Sequence, residues 1–161
     1  YPWQVEHPQT SPVRTDAKVT VTDDIREWDY GEYEGITSAQ ILKLRAEQGL
    51  GPWDIWKEGC PGGESPEDVI RRVDRLIKEI RDKYHGPVIG KPRDKTVQGD
   101  VLVVGHGHIL RAFAIRWTGQ PLSESHFIME AGGVGTLSYE HHSIDEPAIL
   151  LGGGFVVGDD K

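Results

Sequence analysis

One stretch constrains this chain more than any other: Asp100-Val-Leu-Val-Val-Gly-His-Gly-His-Ile-Leu-Arg111. Val101 to Val104 is a short, continuous apolar run bounded by Asp and Gly. Such a run predicts a strand buried on both faces, as in a parallel sheet. Gly105-His106-Gly107-His108 follows at once, and Ile109, Leu110, Phe113, Ala114 and Trp117 then recur at helical spacing. The unit is therefore strand, glycine-flanked histidines, helix. Its turn lies at the carboxyl end of a sheet strand, where α/β folds bind ligands. It also lies at a helix N-terminus, where free N–H groups and the helix dipole favour anions. An imidazole at that mouth is neutral or cationic near neutral pH. The expectation is an oxyanion or phosphate pocket lined by His106.

Several function classes drop out on composition. The chain has 161 residues and a net charge of −8, which argues against a nucleic-acid partner or an anionic membrane surface. No apolar run approaches the ~18 residues a membrane helix needs. One cysteine, Cys60, allows no intrachain disulfide and points to a reducing, cytoplasmic setting. The chain opens Tyr-Pro-Trp-Gln, with no initiator Met, basic start or apolar core. No signal peptide is read there, and the sequence is expected to be a fragment, a processed form or a truncated product.

Residues 1–16 carry Pro2, Pro8 and Pro12 and read as loop, and Lys18-Val-Thr-Val21 alternates as a short strand. Asp23 to Gly35 is dense in acids and aromatics without either periodicity, and Trp28, Tyr30 and Tyr33 there are expected to line something. Thr37 or Ser38 caps a helix to about Gln48 with Ile41, Leu42 and Leu44 inward. Gly51 to Gly63 is a long lid or rim loop holding Trp53, Trp56 and Cys60. Ser65 caps the clearest helix: Pro66 is its first residue, and Val69, Ile70, Val73, Leu76, Ile77, Ile80 and Tyr84 form one stripe. Residues 88–99 read as a polar connection. Thr136 to His141 alternates as a strand and is expected to pair with Ala148-Ile-Leu-Leu151, before a glycine-rich tail from Gly152.

Among the chemical side chains, His106 stands first by its place between glycines. His108, two residues on, is expected to point away from the pocket. Arg111, a planar five-donor cation, either reaches a phosphate or ties the helix to the acidic loop. A carboxyl in the aromatic loop has the semi-apolar surroundings of a general acid, but residue type alone does not choose between Glu27, Asp29, Glu32 and Glu34. His106, His108 and His141 are weighed as metal ligands and set aside: no carboxylate stands at ligand spacing, and adjacent His141 and His142 face opposite ways on a strand. Cys60 has no base beside it and is expected to be inert.

These residues resemble a known family. Val103-Val-Gly-His-Gly-His-Ile-Leu-Arg111 is similar to the second histidine motif of the histidine phosphatase (phosphoglycerate mutase-like) superfamily, and Glu27-Trp-Asp-Tyr-Gly-x-Tyr-Glu-Gly35 to its acid-bearing loop. Gly62-Gly-Glu-Ser65 before a helix also fits. Pro52-Trp-Asp-Ile-Trp-Lys-Glu-Gly-Cys60 and the run from Ala131 to Ala148 resemble the branch of fungal sedoheptulose bisphosphatase-like proteins.

The resemblance implies an α/β fold: three layers, a mostly parallel sheet flanked by helices, with an antiparallel edge near 134–151. It implies one domain over 1–161, the C-terminal portion of a histidine phosphatase domain. It implies hydrolysis of sugar phosphates or bisphosphates through a phosphohistidine, with no metal or cofactor. Carried over by motif, Glu27 is the general acid/base and His106 the second pocket histidine. Tyr30, Gly107, Arg111 and His141 contact substrate. The sequence departs from the family in one respect. No Arg-His-Gly, the motif that carries the nucleophile and ends the first strand, stands in these 161 residues, and Ser11-Pro-Val-Arg14 only echoes the motif that follows it. Without that segment catalysis is expected to be impaired and the open sheet to pair with another copy of the chain. The alternative is an inactive relative that binds phosphorylated ligands or a protein partner.

Overall fold

The computed structural model describes residues 18–92, 99–124 and 127–151. The loop read for residues 1–16, the Ser11 to Arg14 echo and the tail from Gly152 lie outside them. Among the described residues four α-helices run in chain order: α1 Ser38–Glu47, α2 Ile55–Glu58, α3 Pro66–Ile80 and α4 Gly107–Trp117. Strands β1 Thr136–Tyr139 and β2 Pro147–Leu150 form an antiparallel pair, with Thr136 opposite Leu150 and Tyr139 opposite Pro147.

The core is the packing of α3 on α4. Val69, Val73, Leu76, Ile77 and Ile80 make the buried stripe of α3, and Val69 and Val73 are fully enclosed. They meet Ile109, Ala112, Phe113, Ile115 and Trp117 from α4. The start of α3 follows its sequence signals: Ser65 Oγ accepts from Asp68 N at 3.2 Å, and Asp68 Oδ2 accepts from Ser65 N at 3.1 Å. That is a reciprocal capping box ahead of a proline in the first turn. A π-helical turn, Arg81–His85, ends the helix at Gly86. The strand pair is fastened to this layer by Trp117 Nε1, which donates to Ser138 O at 3.0 Å, and by the 2.7 Å contact of His85 Nδ1 with Tyr139 Oη.

Two expectations are corrected. In α1, Ile41 is buried but Leu42 and Leu44 are 49% and 40% exposed. Arg45 takes the inward place instead, because its guanidinium is met there by Gly51 O at 2.8 Å, Glu58 Oε2 at 2.8 Å and Tyr33 Oη at 3.4 Å. A buried cation with all these partners outcompetes an apolar pattern.

The second correction concerns the sheet. Val101–Val104 and Lys18–Val21 form no ladder among the described residues, and the sheet there is the β1–β2 pair alone. Leu102 and Val104 are 85% and 76% exposed, and Val21 is 93% exposed, so neither segment is buried on both faces. A strand exists only through its partner, and no described segment pairs with either.

Candidate active site

The acid-bearing loop has little regular structure of its own. It makes one 3-10 turn at Asp23–Ile25 and another at Gly31–Tyr33. Backbone pairing with the segment before α3 shapes it: Glu32 N donates to Pro61 O at 2.8 Å, and Glu64 N to Asp29 O at 3.0 Å. The approach is close enough to require glycine on both sides. A Cβ on Gly63 would stand 2.2 Å from Asp29 O, and one on Gly31, whose φ is +51°, would stand 2.3 Å from Pro61 O and Gly63 N. Trp28 and Tyr33 anchor the loop in the interior at 1% and 4% exposure.

This loop delivers Glu27 to the start of α4. Its Oε1 accepts from Ile109 N and from Trp28 N, each at 2.9 Å, and its Oε2 accepts from His108 N at 3.2 Å. Glu27 thus fills the anion site that the helix N-terminus offers. His106 is the N-cap residue in extended geometry, but its side chain makes no capping bond and is exposed. The Glu27 carboxylate does the capping in its place. Gly107, also exposed, opens the helix between them.

A second ring of groups stands around Glu27. Tyr30 Oη lies 2.7 Å from His108 Nδ1. The Trp56 ring is 5.5 Å from the His108 ring and 5.6 Å from that of Trp28. The Arg111 guanidinium sits over Trp56 at 4.8 Å from the ring centre. Arg111 Nε is buried without a hydrogen-bond partner among the described residues. Burial, and then the charge of Glu27, push the Tyr30 phenol above its ordinary range, so it stays protonated. Burial, helped by Arg111 and opposed by Glu27, lowers His108, so this imidazole is neutral at neutral pH.

The structure thus brings Glu27, Tyr30, His106, Gly107 and Arg111 to one helix start. It places His141 elsewhere, in the turn after β1. There His141 and His142 take left-handed φ values of 49° and 54°, and His141 Nδ1 faces Glu146 Oε2 at 3.1 Å. Among the described residues no hydrogen bond joins His141 to the Glu27 cluster. Nor do three or more His, Cys, Asp or Glu residues gather there in a metal-binding group. Cys60 is buried, and burial followed by nearby carboxylates pushes its thiol up to about 12, so it holds no thiolate at neutral pH.

Sequence reasoning passed over two members of the cluster. Against the expectation that it points away from the pocket, His108 joins the ring of groups around Glu27, with Tyr30 Oη on its Nδ1 and the Trp56 ring 5.5 Å away. Trp56 entered only as a rim-loop aromatic and as part of the Pro52 to Cys60 run, with no role of its own. The signal that could have found Trp56 was the concentration of Trp and Tyr in the acid loop and the rim loop.

Comparison with known proteins identifies the family. A family model described as histidine phosphatase superfamily (branch 1) matches residues 9–147. The chain is similar to a sedoheptulose 1,7-bisphosphatase of Saccharomyces cerevisiae, 35% identical over 185 aligned positions covering 92% of this chain and 66% of that protein. It is also similar to an acid phosphatase of Mycobacterium tuberculosis, 36% identical over 122 positions covering 75% of this chain and 52% of that one. A solved structure of a Mycobacterium tuberculosis open reading frame product superposes with a TM-score of 0.63 at 33% identity, covering 81% of this chain and 57% of that chain. The chain therefore spans between about half and two thirds of the length of these relatives. With an acid-bearing loop docked on the helix that follows Gly-His-Gly, and a family match over most of its length, the chain belongs to the histidine phosphatase superfamily, branch 1.

Proposed function

We propose that this chain carries the acid/base residue and part of the phosphate pocket of a phosphatase acting on sugar phosphates or bisphosphates. The observation that carries the reading is the Glu27 carboxylate seated on the amides of residues 108 and 109, at the helix start whose N-cap residue is the exposed His106. In the reaction a histidine nitrogen attacks phosphorus and the bond to the sugar oxygen breaks. The Glu27 carboxyl gives its proton to the departing alkoxide. The resulting carboxylate then takes a proton from water, which attacks the phosphohistidine and releases phosphate and the free imidazole. His106 and the Gly107 amide donate to the phosphoryl oxygens, and Arg111 supplies positive charge. Tyr30, and His141 from the turn after β1, contact the sugar. This chemistry calls on no metal or organic cofactor. The names of the yeast and mycobacterial relatives, a sugar bisphosphatase and an acid phosphatase, support the substrate class.

The same reading takes residues 1–161 as one domain, the C-terminal portion of a three-layer fold. A mostly parallel sheet would use Val101–Val104 and Lys18–Val21 and cover their exposed side chains. It places the protein in the cytoplasm, without nucleic-acid or membrane partners, and allows self-association through the open sheet.

Hydrolysis of sugar mono- and bisphosphates by this chain, and by the longest natural form of the protein, tests the proposal. Glu27→Ala and His106→Ala are each expected to lower kcat/KM about 10²–10⁴-fold. Turnover that survives both substitutions unchanged rejects these assignments. A second reading, a non-catalytic binder of phosphorylated ligands, is favoured by one observation: these 161 residues hold no Arg-His-Gly, so the attacking histidine has no assigned position here. Phosphate binding without turnover by the longest natural form supports that reading, and turnover ends it.

A further inference from the structure

Glu27 is held in place from a segment, residues 26–30, that has no helix or strand of its own. Two side chains outside the cluster account for its position. Arg72 on α3 and Glu64 just before it are 6% and 8% exposed. Arg72 grips Glu64 with two parallel bonds, Nε to Oε1 at 2.8 Å and Nη2 to Oε2 at 2.9 Å. Its remaining N–H groups reach into the acid loop. Nη1 donates to Asp24 O at 3.1 Å and Arg26 O at 2.8 Å, and Nη2 donates to Glu27 O at 3.3 Å. Glu64 holds the other side of the same segment: its Oε2 accepts from Asp29 N and its backbone oxygen from Trp28 Nε1, both at 3.0 Å. Asp24, Arg26, Glu27, Trp28 and Asp29 are therefore each hydrogen-bonded to at least one member of this pair, Arg26 to both.

We infer that Arg72 and Glu64 are positioning residues for Glu27, fixing where its carboxylate meets the start of α4 while neither touches Glu27's own carboxyl oxygens. The inference rests on the reading of Glu27 as the acid/base group. Its physical basis is the fixed fork of the guanidinium. Three backbone carbonyls and a carboxylate converge on one planar group, so a small rotation of any of them breaks several bonds together. A lysine at the same place keeps the charge and loses the directions. The alternative, that the pair serves only as glue, is weakened by cost. Burying two ions recovers little more than the desolvation it requires, and apolar residues of equal volume would hold α3 to the loop about as well. Burial pushes Glu64 up, yet the bonds from Arg72 and from Asp29 N and the charge of Arg26 more than offset it, so the carboxyl sits below its ordinary range and stays ionised.

Three amides report directly on the Glu27 carboxylate: Trp28, His108 and Ile109. The test is nitrogen–proton NMR of the whole chain as wild type, Arg72→Lys and Glu64→Gln, with Arg75→Gln as control. Arg75 pairs with Asp24 at the surface and leaves the loop backbone alone. In Arg72→Lys and Glu64→Gln these three signals are expected to move. Ile109 exchange should rise about tenfold while Phe113, in the middle of α4, keeps its protection. Arg75→Gln should leave both unchanged. In whichever form of the protein turns over a sugar phosphate, kcat falls about a hundredfold with KM held within about twofold.

A folded Arg72→Lys protein with the three amides in their wild-type positions overturns the inference. So does equal loosening at Ile109 and Phe113, or failure of both variants to fold, since either makes the pair a stability element. If the amides move but no form of the protein hydrolyses a sugar phosphate, the clamp stands and the phosphatase reading falls.

Discussion

At the scale of single residues, Glu27 combines two tasks that a substitution series separates. As a cap it satisfies two amides at the start of α4, and as the proposed acid it must exchange a proton. Glu27→Gln keeps an acceptor at the helix start and loses the proton chemistry. Glu27→Ala loses both. The alanine variant should lose about 1 kcal/mol of stability, while the glutamine variant stays closer to wild type in a thermal melt. Turnover of a sugar phosphate should fall about 10²–10⁴-fold in each. His108 offers a second measurement. Burial and Arg111 lower its pKa, so its midpoint in a histidine NMR titration should lie below that of a free imidazole. Removing the cation with Arg111→Gln should raise it again. Between the ordinary imidazole value and the lower folded one, the unfolded chain holds more protons than the native chain. The contribution of His108 to stability therefore rises with pH across that window and is lost as pH falls through it.

At the scale of elements, the start of α3 is where local signals and tertiary packing coincide. Ser65→Ala breaks the capping box and should cost about 1 kcal/mol. Gly63→Ala drives a methyl group to 2.2 Å from Asp29 O, and the backbone shift it forces should cost about 1–3 kcal/mol in denaturant unfolding. A retained stability in Gly63→Ala would show that the 29–32 and 61–64 segments do not meet as closely as described. What sequence reasoning recovered was what neighbouring residues dictate: the cap and stripe of α3, the helix after Gly107, and the pairing of β1 with β2. What it did not recover depends on residues far apart in the chain. Arg45 displaces leucines because Glu58 and Tyr33 happen to meet it. Arg72 lies within the turn between Val69 and Val73 and gave no sign that residues 24–29 converge on it from more than forty positions away. The valine run ending at Val104 has the composition of a buried strand, but composition cannot supply the partner that buries it.

At the scale of the molecule, that valine run leaves a consequence. Side chains two apart on an extended segment face the same way, so Leu102 and Val104 form one exposed apolar face and Val19 and Val21 form another. Full burial of each such side chain is worth about 1.5–3 kcal/mol. Four of them in water, on segments whose backbone pairs with no described strand, outweigh the modest repulsion that a net charge of −8 provides at physiological salt. The 161-residue chain is therefore expected to self-associate with rising concentration, in sedimentation or light scattering, and to bind an apolar dye. A double substitution Leu102→Lys and Val104→Lys should suppress both effects, because two buried cations cannot be accommodated in a strand interface. The helical signal of α3 and α4 should persist, since neither residue belongs to the cluster of buried side chains that joins them. A monomer at high concentration that binds no dye would mean that residues outside the described segments already cover this face. The two lysines would then destabilise the chain instead of solubilising it, so the sign of one measurement separates a shared sheet from a self-contained one.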